Sequence, residues 1–238
     1  MARRLRARRE RVRVCVRAGA ERVDAERWAG ALRRALADGD DAVFAVTALR
    51  VRPGERGDGP ALRRELLATG DDLVVWLVAD GDTPDPARVA ALLGPLLADE
   101  GVVHVVGAAR GAPGDDDPLE EICARPLLAL LYPALAGLAR PLALEAAGRG
   151  GALRDAARCD GDPFEVGLLI DLLRAHGPAA LAQVELPARA HGRGTRGSLA
   201  ERATTLTRTV VGRLADDAID GRDLPRLDHR AVGRAVGR

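Results

Sequence analysis

The chain has 238 residues with 47% apolar content, enough to close a sizeable core in one large domain or two small ones, which excludes a disordered tail. Thirty-six basic residues oppose 35 acidic ones for a formal net charge of +1, so the chain as a whole is not an electrostatic glove for nucleic acid or an anionic membrane. Every basic residue is arginine, lysine and asparagine are absent, and Ser198, Tyr132 and Gln183 are each the sole residue of their type; this excludes a Schiff-base lysine and a Walker-loop lysine and leaves almost no serine nucleophile.

The first seventeen residues hold eight arginines, Arg3, Arg4, Arg6, Arg8, Arg9, Arg11, Arg13 and Arg17. Such a run can grip phosphate or RNA, but no aromatic residue interleaves with it to stack bases, so a solvated arm leading into a strand is the better reading. Val12 to Val16 then reads as a strand, Asp24 to Leu36 as a helix with Trp28, Leu32 and Leu36 on its apolar side, and Ala42 to Leu49 as a second strand. A Gly/Pro-rich loop from Arg52 to Pro60 precedes a helix from Ala61 to Ala68. Leu73 to Ala79 is the strongest strand, apolar on both faces as central parallel strands are.

Helix Pro86 to Leu97 and strand Val102 to Gly107 complete another strand-helix-strand step. The first 110 residues therefore predict a doubly wound α/β half with helices on both faces. After an acidic loop at Asp115-Asp116-Asp117 the pattern predicts a helix from Leu119 to Leu131, a less regular middle, an apolar helix from Phe164 to Arg174 and a strand from Ala182 to Ala190. An amphipathic helix starts at Ser198, with Leu199, Ala203, Leu206, Val210 and Leu214 on its apolar face, and leads to a loosely held tail. The domain expectation is a basic arm over 1–11, one domain over 12–216 and a tail over 217–238.

Three cysteines, Cys15, Cys123 and Cys159, form no C-x-x-C, which argues against a disulfide framework or a thiolate zinc site and for a reducing compartment. The longest apolar runs are too short to span a bilayer. A soluble cytoplasmic protein is expected.

Ligands in open α/β sheets sit at the carboxyl ends of strands, which brings Asp80-Gly81-Asp82 to the mouth of the site. Two carboxylates one residue apart after a buried strand can hold a divalent cation that bridges two phosphates, although the same tripeptide also makes an ordinary turn. His191 closes the last strand and can serve as a neutral imidazole ligand from across the cleft, or as a structural histidine. The formal G-x-G-x-x-G at Gly192 to Gly197 opens no βαβ unit and reads as a flexible loop. Glu165 stands at the start of the apolar helix, where a carboxylate favours the positive end of the helix dipole. His104, His176 and His229 read as structural or exposed.

The stretch Asp162-Pro-Phe-Glu165-Val-Gly-Leu-Leu-Ile-Asp171 followed by Ala182-Gln-Val-Glu-Leu-Pro-Ala-Arg189-Ala-His191 closely resembles the C-terminal half of actinobacterial glucosyl-3-phosphoglycerate synthases. Val51-Arg-Pro-Gly54, Leu73-Val-Val-Trp76, Gly94-Pro-Leu-Leu97 and Ala124-Arg-Pro-Leu-Leu-Ala-Leu-Leu131 extend the resemblance in the same order. Those proteins are GT-A-fold retaining glycosyltransferases that move glucose from a UDP-sugar to 3-phosphoglycerate with a divalent metal. The resemblance implies a GT-A-like fold, a Rossmann-like doubly wound mixed sheet with a helical C-terminal part. It further implies a Mg or Mn cation on Asp80, Asp82 and His191, a donor bound by Glu21 and Asp80, and Glu165 near the donor sugar. Together with the amphipathic helix from Ser198 it points to a homodimer; no membrane or nucleic-acid partner is expected.

The departures from the family pattern are concentrated where phosphates approach. Aligned without a gap, the family's D-x-D becomes Val78-Ala79-Asp80, and a two-residue slip restores it as Asp80 and Asp82. Its glycine-lysine-glycine is Gly57-Asp58-Gly59, its proline-alanine-leucine-asparagine-glutamate stretch is Arg17-Ala-Gly-Ala-Glu21, and its aspartate- and serine-rich strand-loop is deleted. Its triple-glycine acceptor loop is the acidic run Asp115 to Glu120, which should repel phosphoglycerate, and the asparagine after its histidine is Arg193. Two functional readings follow: a metal-dependent hexosyltransferase with an altered donor or acceptor, or a catalytically inactive pseudo-glycosyltransferase acting as a scaffold or partner-binding protein.

Overall fold

The computed structural model describes residues 5, 10–17, 24–36, 43–52, 59–79, 84–109, 117–156, 164–187 and 198–219. Six strands form one sheet in the order β2-β1-β3-β5-β4-β6: β1 Val12–Arg17, β2 Phe44–Ala48, β3 Leu73–Val78, β4 His104–Ala109, β5 Ala146–Arg149 and β6 Leu181–Leu186. All run one way except β5, which pairs antiparallel with both β3 and β4. Among the described residues seven α-helices accompany them: α1 Ala25–Leu36, α2 Gly59–Ala68, α3 Pro86–Ala98, α4 Arg125–Leu131, α5 Gly150–Ala156, α6 Phe164–His176 and α7 Leu199–Ile219.

Strand alternation sorts the core into two faces. Val12, Val14 and Val16 of β1 and Leu73, Val75 and Leu77 of β3 pack under α1 and α3. Cys15, Val74 and Trp76 face the other way, toward α2, α5 and α6. Every residue of β3 is buried, which is why it reads as continuously apolar. Helix α6 is apolar nearly all round because it is shared: Phe164, Leu168 and Leu172 meet the sheet, while Val166, Leu169 and Ile170 meet α4, α7 and Leu142 in a third cluster.

Three sequence expectations shift. The structure adds β5, whose Ala-Ala-Gly-Arg sequence has little strand propensity and is drawn into the sheet by partners on both sides. The helix expected over Leu119 to Leu131 opens with a π turn, Glu120–Ala124, closed by Arg125 N–H on Glu120 O, just before Pro126 removes the donor a regular turn would need. Helix α7 continues to Ile219, across the boundary expected at residue 216, because Asp217 is buried against Tyr132 and Arg174. On that helix Leu206 and Val210 are buried, whereas Leu199 is exposed. Its start is a capping box: Glu201 N–H donates to Ser198 Oγ at 3.2 Å while Ser198 N–H donates to Glu201 Oε2 at 2.9 Å. Hydrogen bonds from the Ser198 backbone and hydroxyl hold the Glu201 carboxyl below its ordinary pKa. The sole serine is thus a helix cap.

The arginine run also divides. Arg13 and Arg17 lie within β1, with Arg13 on Asp71 at 2.9 Å and Arg17 only 8% exposed; residues 1–4 and 6–9 and the tail from 220 lie outside the described residues. Cys15 is buried and its thiol pKa is pushed up by desolvation, which makes it an unreactive core residue. No helix among the described residues is long and apolar enough to cross a membrane.

Candidate active site at the carboxyl edge of the sheet

Because β1, β2, β3, β4 and β6 share a direction, their carboxyl ends line one edge, and the chain leaves β3 there at Ala79. Ala79 N–H donates to Arg17 O at 2.9 Å, which ties the end of β3 to the end of β1. Arg17 projects to the α6 face, where its Nη1 donates to Glu165 Oε1 at 2.9 Å and to Leu144 O at 3.4 Å. Its guanidinium carbon lies 5.9 Å from the Phe164 ring centroid, a cation-π distance. Glu165 is in the first turn of α6 and is 7% exposed.

A second pair flanks β3 on the opposite face. Arg88, in the first turn of α3, donates to Glu145 Oε2 at 2.6 Å and to Pro187 O at 2.7 Å. Glu145 is buried just ahead of β5. The end of β3 is thus bracketed by two buried arginine-carboxylate pairs. Two strands further out, at the end of β2, a cleft of ≈ 330 Å³ opens between α1 and α2. Its arginines cap the edge strand: Arg33 donates to Val46 O at 2.6 Å and Arg64 to Arg50 O at 2.6 Å.

Of the residues the sequence singles out, Glu165 is described; Glu21, Asp80, Asp82 and His191 lie outside the described residues, as do Asp58 and Arg193. Among the described residues no three His, Cys, Asp or Glu groups converge to hold a metal. Among the described residues, Glu145 and Glu165 at the ends of β3 and β1 are each engaged by arginine; the donor set expected from the sequence is Asp80, Asp82 and His191. Two carboxylates and an imidazole suit Mg²⁺ or Mn²⁺.

Sequence reasoning overlooked Arg17, Arg88 and Glu145 as site residues. Glu145 carried a signal, a lone carboxylate in the apolar run Leu142 to Ala147; Arg17 was hidden among seven other arginines. The acidic run was misread in part. Asp117 pairs with Arg202 at 2.8 Å and Glu120 with Arg140 at 3.0 Å, both carboxylates buried, so the expected repulsion of phosphoglycerate loses these two charges.

No family model matches the chain. A mixed α/β sheet with helices on both faces and a helical C-terminal layer defines a GT-A-like protein. The solved structures it matches say which kind. Glucosyl-3-phosphoglycerate synthase of Mycobacterium tuberculosis in complex with Mg²⁺ and UDP superposes with a TM-score of 0.69 at 29% identity, covering 89% of this chain and 82% of that one. The same enzyme with Mn²⁺, UDP-glucose and phosphoglyceric acid gives 0.68 at 30% identity, covering 86% and 79%. The glucosyl-3-phosphoglycerate synthase of Mycolicibacterium smegmatis is 36% identical over 188 residues, 76% of this chain and 62% of its own. The M. tuberculosis sequence is 38% identical over 169 residues, 66% and 52%. The chain is a divergent relative of glucosyl-3-phosphoglycerate synthase, and it spans between half and two thirds of the length of these relatives.

Proposed function

We propose that this protein is a divalent-cation-dependent glycosyltransferase that takes a hexose from a nucleotide-sugar donor, UDP-hexose first among them, in the cytoplasm. The likeness to solved structures that hold Mg²⁺ or Mn²⁺ with UDP or UDP-glucose carries the reading. Asp80, Asp82 and His191 would hold the cation, whose contribution when bound is to stabilise negative charge on the departing nucleoside diphosphate. Reach supports this set: β3 and β6 are three strand spacings apart, about 14 Å, and the four residue-to-residue steps from Pro187 to His191 can span up to about 14 Å.

Glu165 accepts hydrogen bonds from hexose hydroxyls and fixes the sugar's orientation, with Arg17 holding its carboxylate in place. Glu21 and Asp80 contact the donor. The acceptor is left open by this reading, and a homodimer through α7 belongs to it. The second reading is a catalytically inactive pseudo-glycosyltransferase acting as a scaffold or partner-binding protein.

Calorimetric titration with UDP-glucose and GDP-mannose, with and without Mn²⁺, decides between them. UDP-glucose binding that requires Mn²⁺ and is lost in Asp80→Ala is the expected result. No binding of either donor in either condition overturns the enzyme reading.

A further inference from the structure

Between β3 and β4 the sheet is incomplete at its carboxyl edge. Strand β5 pairs with its neighbours only as far as Ala146, opposite Trp76 and Val106, so Leu77 and Val78 on one side and Gly107 on the other run past it. Glu145 fills the gap twice over. Its carbonyl accepts from Gly107 N–H at 2.9 Å, and its Oε1 accepts from Val78 N–H at 3.3 Å, the side chain standing in for the missing strand. Gly107 is needed there, because a Cβ would lie 2.9 Å from the Glu145 carbonyl oxygen. The other carboxylate oxygen is held by Arg88, whose second nitrogen reaches the carbonyl of Pro187 directly after β6.

We propose that Arg88 and Glu145 are positioning residues for the cation site, setting the separation of the two chain exits, after Val78 and after Leu186, from which Asp80 and His191 depart. This inference rests on the cation reading given above. The wiring supports it. One guanidinium spans a carboxylate fastened to β3 and the main-chain carbonyl directly after β6, so a shift of either exit breaks a hydrogen bond, within the protein on the β3 side and at its surface on the β6 side. The side chains are 11% and 4% exposed, and a buried pair pays its desolvation only with well-made geometry. Arginine's rigid two-pronged fork can serve both acceptors where a lysine ammonium, a flexible point charge, would not hold their spacing. Both act through the strand ends they fasten.

The test is Mn²⁺-dependent binding of UDP, by calorimetry and by the electron paramagnetic resonance of bound Mn²⁺, in Arg88→Met, Arg88→Lys and Glu145→Gln, each checked for folding by circular dichroism. The control is Arg140→Met, which breaks the buried Arg140–Glu120 pair in the helical layer. Arg88→Met and Glu145→Gln are expected to weaken Mn²⁺-dependent binding about tenfold or more, and Arg88→Lys, should Arg88→Met not fold, to give a smaller loss in the same direction. Arg140→Met should lower stability with binding unchanged. If Asp80→Ala abolishes binding while folded Arg88 and Glu145 variants bind as wild type, or if Arg140→Met weakens binding equally, the positioning role is overturned and the cation reading stands. If wild type shows no Mn²⁺-dependent binding of UDP, both fall together.

Discussion

The carboxyl edge of the sheet and the C-terminal helical layer are built from the same material, arginine against a buried carboxylate, but they are wired differently. In the helical layer each pair joins helix to helix or helix to its loop. Arg174 of α6 meets Asp217 of α7 at 2.6 Å, Arg213 of α7 meets Asp171 of α6 at 2.9 Å, and Tyr132 donates to Asp217 at 2.9 Å. Arg174 also donates to the Arg213 carbonyl. Burial opposes its charge, but the hydrogen bond and charge of Asp217, helped by Asp171, hold its pKa above the ordinary value. At the carboxyl edge Arg17–Glu165 and Arg88–Glu145 lie on opposite faces, and each secures a point where the chain leaves a strand. Burial of an ion pair therefore does not reveal its task; the partner of the remaining guanidinium nitrogens does.

That contrast can be broken most directly by removing one carboxylate from each region. Glu165→Ala strands the buried Arg17 guanidinium and should cost about 3–5 kcal/mol in urea denaturation, with UDP-glucose affinity falling at least about tenfold. Asp217→Ala should cost about 3 kcal/mol, since Arg174 keeps Asp171, while UDP-glucose affinity of the folded protein stays within about twofold. Equal losses of affinity would erase the distinction between the regions.

Acid tests whether both regions hang on one sheet. His104 is buried, stacked on Trp76 with ring centroids 5.5 Å apart, and burial pushes its pKa down to about 4, partly offset by a hydrogen bond to the Ala147 backbone. As the pH falls from about 6.5 to about 4 the unfolded chain takes up a proton that the folded state refuses, so stability is lost over that window, on the order of 3 kcal/mol in all. His104→Gln should flatten the decline between pH 7 and pH 5. Within the helical layer alone, Tyr132→Phe should cost about 1–2 kcal/mol, because Asp217 loses one donor and keeps Arg174.

The sheet was largely legible because its parallel strands announce themselves: Leu73 to Val78 is apolar without a break and buried without a break. Strand β5 was not, since nothing local in Ala146 to Arg149 specifies extension; its pairing comes from β3 and β4. The place of Glu165 at the head of an apolar helix was legible in the sequence. Its partner Arg17 was not, because a strand's last residue can point to solvent or fold over the edge, and only the position of α6 decides. Arg88 and Glu145 are 57 residues apart in sequence, a separation that no motif spacing could connect.

The smallest effect gives the sharpest comparison. Arg50 and Glu26, on the rim of the cleft at the end of β2, approach to 2.6 Å, as closely as Arg88 and Glu145 do. Their side chains are 81% and 56% exposed, against 11% and 4%. Water screens the first pair in both the folded and the unfolded chain, so joining the charges gains little and ordering two long side chains offsets much of that. Arg50→Ala should therefore change the urea midpoint by no more than about 1 kcal/mol of stability, and less in high salt. A loss approaching that of Glu165→Ala would mean that distance, not burial, sets the worth of these pairs, and the contrast between rim and edge would have to be redrawn.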